Sequence, residues 1–189
     1  MPRDSQIPVA YVGLGSNLAS VAGSPAQTLL AATDALVSLG ELTARSSLYE
    51  TAPVGYLDQP SFVNAVAAIR TAFEPEALLD ALLAIERQYG RDRASDIPKG
   101  PRTLDLDLLL VEPPGGDGLI YESPTLTLPH PAIADRRFVL APLAEIAPGL
   151  RHPILKKTIL ELLAGLPADL SGADPNSSKA VRVLPPAHL

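Results

Sequence analysis

Near the middle of the chain lies the segment Gly100-Pro101-Arg102-Thr103-Leu104-Asp105-Leu106-Asp107-Leu108-Leu109-Leu110-Val111. A glycine–proline turn opens it and an apolar run follows, which predicts a strand that enters the core. Side chains alternate along a strand, so Asp105 and Asp107 share one face and lie about 6.6 Å apart, at roughly 3.3 Å per residue. This spacing suits two oxygen donors on a pair of divalent cations about 3.5–4 Å apart, and Arg102 at the start of the strand suits a phosphate. A lone D-x-D pair is more often the wet face of a half-buried sheet, but Leu109 on the same face argues against a simply solvated side.

The composition limits the classes of protein to be considered. The chain has 189 residues, is 47% hydrophobic and carries a net charge of −6, which predicts a compact core and argues against a broad nucleic-acid or acidic-membrane surface. It contains no cysteine, which excludes disulfides, thiolate metal sites and a cysteine nucleophile. We see no signal peptide and no 18-residue apolar run, so a cytoplasmic protein is expected. Basic residues are nevertheless concentrated in one region, which points to a small anionic ligand: Arg87, Arg91, Arg93, Lys99 and Arg102.

The hydrophobic periodicity predicts one α+β domain. The predicted strands cover residues 7–14, 42–51, 62–69 and the Asp105 segment, with a short strand at 119–122 that could pair back on it. The predicted helices cover residues 25–39, 75–89, 135–146 and 156–164. The order β-α-β-β-α-β is that of a ferredoxin-like α/β sandwich with a central, mainly antiparallel sheet. We predict a single domain over residues 1–166 and a loosely ordered tail over residues 167–189.

Outside the D-x-D segment, the single residues carry weaker signals. Phe62 and Asn64 point the same way on an interior strand, where the amide could bond a loop backbone or, with the aromatic ring, read a flat heterocycle. His130 is held between prolines, although a lone histidine is more often structural. The glycine loop 13–18 is neither a Walker A loop nor a full G-x-G-x-x-G motif. The charged loop from Arg91 to Pro101 is a candidate lid.

Five ordered segments together resemble one family, 6-hydroxymethyl-7,8-dihydropterin pyrophosphokinase of the folate pathway. They are Gly100–Asp107, Gly13–Leu18, Tyr49-x-Thr51 with Pro53, Asp58-Gln59-Pro60 with Phe62-x-Asn64, and Leu128-Pro129-His130-Pro131. The resemblance implies an enzyme that transfers pyrophosphate from ATP to the dihydropterin and releases AMP. It departs from many members at Lys99, where they have tryptophan, and at Pro98 and Pro131. The competing hypotheses are another metal-dependent nucleotide-using transferase and a non-catalytic pterin- or nucleotide-binding domain.

The same resemblance implies a role for each matching residue. Asp105 and Asp107 would hold two Mg²⁺ ions, although Mn²⁺ is not distinguished, and Arg91 and Arg102 would act on the phosphates. The implied ATP contacts are Glu86, Arg93, Arg102, Leu108, Thr127, His130 and Arg136. The implied pterin contacts are Thr51, Pro53, Val54, Phe62, Asn64 and Phe138, with the two phenylalanine rings enclosing the heterocycle. Small molecules are the expected partners, with no nucleic acid or membrane, and a monomer is expected.

Overall fold

A central antiparallel sheet organises the chain. The computed structural model describes residues 6–53, 58–93, 100–167 and 181–185. The sheet contains β1 (Val9–Ser16), β2 (Glu41–Arg45), β3 (Tyr49–Thr51), β4 (Phe62–Arg70), β5 (Asp105–Glu112) and β8 (Val181–Val183). Its order is β5-β1-β4-β3-β8, with β2 also paired to β4. A separate hairpin joins β6 (Tyr121–Glu122) to β7 (Thr127–Leu128).

Helices cover both faces of this sheet. They are α1 (Pro25–Ala35), α2 (Pro75–Gln88), α3 (Arg137–Ile146) and α4 (Ile159–Gly165). On one face, α1 and α2 bury residues such as Leu29 and Leu82 in a cluster with Leu106 of β5. On the other face, Leu140 of α3 packs in a second cluster with Val66 of β4. The predicted α+β class with a central antiparallel sheet is therefore confirmed.

The starts of the helices follow local sequence signals. Ser24 and Gln27 form a capping box at α1, and Pro25 occupies its first turn. Thr158 and Glu161 form a second capping box at α4. The helix was predicted to begin at residue 156, but it begins at Ile159. The Thr158 side chain accepts from the N–H of Glu161, so this cap satisfies an N–H group in the first turn of a helix that starts directly after Thr158.

A β-bulge at Leu109 shapes the strand that carries the two aspartates. The register of β5 against β1 pairs Leu108 with Val12 and Leu110 with Tyr11, which leaves Leu109 as an extra residue. Leu109 and Leu110 consequently both join the cluster under α3 and α4, whereas Leu108 joins the opposite cluster. The bulge also leaves the Leu109 carbonyl open to the backbone N–H of His130, which donates to it at 2.8 Å.

Two predicted strands need correction. The single strand predicted over residues 42–51 is wrong, because β2 ends at Arg45 and β3 starts at Tyr49. Ser46 separates them: its N–H donates to the Val66 carbonyl at 2.9 Å and its Oγ accepts from Val66 N at 3.0 Å. The segment 119–122 does not pair as a strand with β5, although Leu119 N donates to the Val111 carbonyl; Tyr121–Glu122 pairs with β7 instead.

Two helix boundaries also differ. The first helix gives way at Ala35 to a 3₁₀ turn, Leu36–Leu39, and α3 starts at Arg137 after another 3₁₀ turn, Ile133–Asp135.

None of the helices in the described part of the chain combines the length and apolar character needed to cross a membrane.

Part of the predicted loose tail is attached to the sheet. Val181–Val183 pairs antiparallel with β3, Leu184 N donates to the Leu48 carbonyl at 2.8 Å, and Arg182 forms an ion pair with Glu50. Residues 181–183 of the predicted tail thus extend the sheet edge without a local sequence signal, and the loosely ordered tail stays a prediction. Residues 168–180 and 186–189 lie outside the described residues, and the domain boundary at residue 166 stays a prediction.

Candidate active site

A cleft of about 550 Å³ opens between the sheet and the start of α3. The first wall carries Arg102, Asp105 and Asp107, and the second carries Thr51, Phe62 and Asn64. Arg136 and Phe138 line it from the beginning of α3. The structure therefore brings predicted phosphate, metal and pterin residues from distant parts of the chain into one cavity.

Asp105 lies among arginine side chains. Arg102 Nη1 contacts its Oδ2 at 2.7 Å, and Arg91 Nη1 contacts its Oδ1 at 3.1 Å. Arg93 Nη2 is 3.8 Å from the same Oδ1 atom. The predicted phosphate-binding cations are thus grouped around one carboxylate.

Asp107 is the less compensated of the two carboxylates. Burial raises the pKa of its carboxyl from 3.8 to about 6, and the negative charge of Asp105 adds to the rise. Arg136 opposes the rise only in part. A bound divalent cation would favour the charged form of both groups, so the donor set fits a hard cation. Within the described ranges no group of three or more acidic or histidine side chains surrounds a metal position.

Asn17 holds the backbone around Arg102, a role that the sequence did not predict. Its Oδ1 accepts from Arg102 N at 2.7 Å, and its Nδ2 donates to the Gln59 Oε1 and Pro60 carbonyl oxygens at 3.0 Å each. The side chain is only 3% exposed. It therefore joins the segment that carries Arg102 to the loop that precedes Phe62. Its position in the glycine loop 13–18 was the only sequence feature that could have indicated this role.

Two predicted ATP contacts are buried away from the cleft lining. Glu86 is 1% exposed and accepts from Leu106 N and from two nitrogens of Arg93, each at 2.8 Å. Leu108 is in the hydrophobic cluster on the opposite face of β5 from the aspartates. Glu86 thus positions Arg93 and the β5 backbone, and the Leu108 side chain packs in the core.

His130 and Thr127 lie beyond the lining of the cleft, on the chain that follows β6. His130 Nδ1 accepts from Ala132 N at 3.1 Å. Burial lowers the pKa of His130, and the positive charge of Arg136 lowers it further. The neutral ring then carries its proton on Nε2, which leaves a donor for an anion. Thr127 is exposed on β7.

The second wall, on the same sheet as the aspartates, combines an aromatic ring with a buried amide. Asn64 Nδ2 donates to Thr51 Oγ1 at 2.8 Å, so the amide bonds a side chain and not a loop backbone. Gly15 lies beside this amide, because a Cβ there would be in ordinary van der Waals contact with Asn64 Oδ1 at 3.4 Å. The Arg102 guanidinium lies 5.4 Å from the centre of the Phe62 ring. This wall presents a flat apolar surface beside fixed polar groups, which suits a heterocycle.

The remaining predicted pterin and lid residues differ in where they lie. Phe138 lies beside Arg136, whose guanidinium is 5.8 Å from the ring centre. Pro53 is described but does not line the cleft. Val54 lies outside the described residues, as do Pro98 and Lys99 of the predicted lid.

Sequence reasoning missed several residues that line the cleft. Asp135 and Arg137 line it at the start of α3. Their position next to Arg136, a predicted ATP contact, was the sequence feature that could have indicated them. Leu166 and Pro167 line it from the end of α4 and carry no motif.

Comparison with known sequences places this arrangement in a family. The family described as 7,8-dihydro-6-hydroxymethylpterin-pyrophosphokinase (HPPK) matches residues 11–148. The chain belongs to this family. The resemblance inferred from the sequence is thus confirmed, and the matched range contains both aspartates, the arginines and the phenylalanines described above.

Individual relatives agree with the family. The 2-amino-4-hydroxy-6-hydroxymethyldihydropteridine pyrophosphokinase of Pseudomonas aeruginosa is 49% identical over 159 residues, which cover 83% of this chain and 91% of the relative. The folic acid synthesis protein fol1 of Schizosaccharomyces pombe is 40% identical over 160 residues, but the match covers 85% of this chain and only 21% of that longer protein.

Solved structures support the fold. A Plasmodium falciparum HPPK-DHPS structure matches with a TM-score of 0.63 at 17% identity, over 84% of this chain and 44% of the other. At this identity the likeness speaks for the fold of an HPPK domain alone.

Proposed function

We propose that this chain transfers the pyrophosphoryl group of ATP to the hydroxymethyl oxygen of 6-hydroxymethyl-7,8-dihydropterin and releases AMP. The observation that carries the proposal is one cleft with Asp105, Asp107 and Arg102 on one wall and Phe62 and Asn64 on the other. Membership of the pyrophosphokinase family supports the same reaction.

Asp105 and Asp107 are the residues that would hold Mg²⁺, and the family resemblance implies two ions. When bound, such ions neutralise and orient the phosphates of ATP. The chain itself supplies the carboxylate oxygens at half-buried positions, where electrostatic interactions are stronger than in bulk water.

Arginine side chains provide the remaining positive charge. Arg91 and Arg102 present guanidinium groups beside Asp105, where they can donate to phosphate oxygens bound next to the carboxylate. Arg136 lines the same cleft, and Arg93 is held by Glu86 at its edge. These groups stabilise charge that accumulates on the phosphates as the bond to AMP breaks.

The residues around His130 are proposed to bind the nucleotide. The Nε2–H of the neutral imidazole can donate to a phosphate oxygen, and Thr127 offers an exposed hydroxyl on the same segment. Because the Leu108 side chain is in the core, any contact from this residue to ATP has to come from its main chain. Glu86 contributes through Arg93.

Phe62 and Phe138 would enclose the pterin ring, each ring contact contributing on the order of 1 kcal/mol beyond area burial. Asn64 and Thr51 would hydrogen-bond its edge, because their side chains already hold each other in fixed positions. A site of this kind rejects heterocycles that leave its polar groups unpaired. Pro53 and Val54 remain proposed neighbours of the pterin from the family resemblance.

The reaction is a displacement at the β-phosphorus. The hydroxymethyl oxygen forms a bond to the β-phosphorus, and the bond from that phosphorus to the oxygen bridging to the α-phosphate breaks. The electron pair leaves with AMP, and the hydroxyl proton passes to solvent. The enzyme's contribution is positioning and electrostatic stabilisation, with no covalent intermediate.

We further propose a cytoplasmic monomer that acts on small molecules. Its net charge of −6 argues against a nucleic-acid surface, and Arg102, Arg136 and Arg137 line the cleft where a small anion would bind.

The test is product analysis by chromatography with ATP, 6-hydroxymethyl-7,8-dihydropterin and Mg²⁺, together with omission of each component. AMP formed only in the complete mixture is the expected result, and ADP in its place would indicate a simple kinase and contradict the proposal. Asp107→Asn should abolish AMP formation, whereas Asp117→Asn, an exposed acid outside the cleft lining, should not. Saturable pterin binding without any turnover would instead favour a binding domain.

A further inference from the structure

The chain beyond residue 148, the last residue matched by the family, contributes to the cleft in two places. Leu166 and Pro167 line it directly, and β8 pairs with β3, the strand that ends in Thr51. We propose that Leu166, Pro167 and β8 complete the pterin end of the cleft, the part lined by Thr51, Phe62, Asn64 and Phe138, and determine how tightly the pterin is held. This inference rests on the proposed function, since it concerns the same substrate.

Leu166 is fixed in place by the packing of α4. Leu160 N donates to the Pro148 carbonyl at 3.1 Å, and Ile159 N donates to the Leu150 carbonyl at 2.9 Å, so α4 is tied to the chain just after α3. Leu166 packs against the same apolar cluster as Phe138. A side chain held in this way adds apolar surface to the cleft that Phe138 also lines.

The second contribution comes through β3. This strand is only three residues long, and it is paired on one side with β4 and on the other with β8. Thr51 lies opposite Phe62 in β4 and opposite Val181 in β8. Without β8, β3 would be a short edge strand with unpaired backbone groups, free to fray together with the Thr51 hydroxyl that holds Asn64.

The order of the sheet makes this effect selective. The strands run β5-β1-β4-β3-β8, so β8 and the strand that carries Asp105 lie at opposite edges. Loosening β8 should therefore disturb Thr51, and through it Asn64, while the metal and phosphate wall stays in place. Pterin affinity and nucleotide affinity should respond differently, which a general loss of stability would not produce.

The backbone register supplies a matched pair of proline variants. Leu184 N bonds the Leu48 carbonyl, and hydrogen-bonded pairs alternate along an antiparallel ladder, so Arg182 and Glu50 form the next bonded pair. Arg182→Pro removes the backbone N–H that donates to Glu50 and so breaks one hydrogen bond between β8 and β3. The N–H of Val183 points to the open edge of the sheet, so Val183→Pro leaves the hydrogen bonds between the two strands intact. Arg182→Ala controls for loss of the exposed ion pair with Glu50.

The experiment measures two dissociation constants for each variant. Fluorescence titration with oxidised 6-hydroxymethylpterin reports the pterin, and calorimetry with Mg²⁺ and an ATP analogue that has a non-cleavable α–β bridge reports the nucleotide. We expect Arg182→Pro to weaken pterin binding about fivefold, as the loss of one positioned hydrogen bond would do, with nucleotide binding unchanged. Val183→Pro and Arg182→Ala should bind both ligands like the unmodified chain.

A second pair tests the direct contact. Leu166→Ala should weaken pterin binding about threefold through lost apolar contact, while Leu160→Ala, at a side chain 55% exposed on the same helix, should not.

Each other outcome overturns the inference. Unchanged pterin affinity in both Arg182→Pro and Leu166→Ala would show that the segment is not part of the pterin end. Equal weakening of pterin and nucleotide would show a general structural effect and refute the selective role. A wild-type chain that binds nucleotide but no pterin would overturn the proposed function itself, and the inference with it.

Discussion

Replacing Glu86 tests whether this buried carboxylate positions Arg93 or touches ATP directly. In Glu86→Gln, the remaining carbonyl oxygen can still accept from Leu106 N, but the new amide faces the Nε–H donor of Arg93. A hydrogen bond between charged groups contributes about 1.5–3 kcal/mol. Because the Arg93 side chain is 52% exposed and can turn to water, we expect a loss of only about 1–2 kcal/mol in the free energy of unfolding.

Glu86→Ala should cost more, because it also leaves Leu106 N–H unpaired inside the sheet. A buried unsatisfied donor costs about 1–3 kcal/mol, and the void adds to it, so the total loss should be about 4 kcal/mol. Urea unfolding curves of the two variants and the unmodified chain give these differences. Two variants that unfold within about 0.5 kcal/mol of the wild type, a change typical of surface sites, would refute the reasoning.

Kinetics then separate the two roles of Glu86. If Glu86 acts through Arg93, the KM for ATP of the double variant Glu86→Gln/Arg93→Ala should equal that of Arg93→Ala alone. A further rise in KM in the double variant would mean that Glu86 contacts the nucleotide itself, as the sequence predicted.

Three further changes test separate parts of the structure. Gly40→Ala should lower the free energy of unfolding by about 2 kcal/mol, because its Cβ would lie 2.3 Å from the Arg70 carbonyl oxygen, and a urea midpoint equal to wild type would contradict this packing. Thr51→Val removes the acceptor of the Asn64 amide, so the KM for the pterin should rise with little change in the KM for ATP; equal rises would argue against the assigned wall. Burial lowers the pKa of His152, so below pH 6.5 the unfolded chain takes up its proton first and the free energy of unfolding should fall as the pH falls. His152→Gln should reduce that slope, and an unchanged slope would assign it to other groups.

The chemistry-bearing strand was predictable because its signals are local. A glycine–proline turn, alternation and paired carboxylates placed Asp105 and Asp107 on one face, and the bulge at Leu109 lies beyond both of them. The break between β2 and β3 was not predictable, because it depends on hydrogen bonds between Ser46 and Val66 on a distant strand.

The same limit applies to the cleft. Phe62 and Asn64 could be assigned to one face from alternation, but nothing local places Leu166 in the same cleft, since that follows from the packing of α4 on α3. Glu86 shows a limit of the family resemblance. The resemblance implies an ATP contact, which stays a prediction, and only the structure reveals the burial of this carboxylate and its bonds to Leu106 and Arg93.

The central claim is that Asp105 and Asp107 bind divalent metal together with the nucleotide. Electron paramagnetic resonance with Mn²⁺ and an ATP analogue carrying a non-cleavable α–β bridge counts the bound ions directly. We expect about two ions per chain for the wild type and for the Asp117→Asn control, with fewer for Asp105→Asn and Asp107→Asn. A wild-type ion count in both of those cleft variants would contradict the account, because the metal would then be held by other groups.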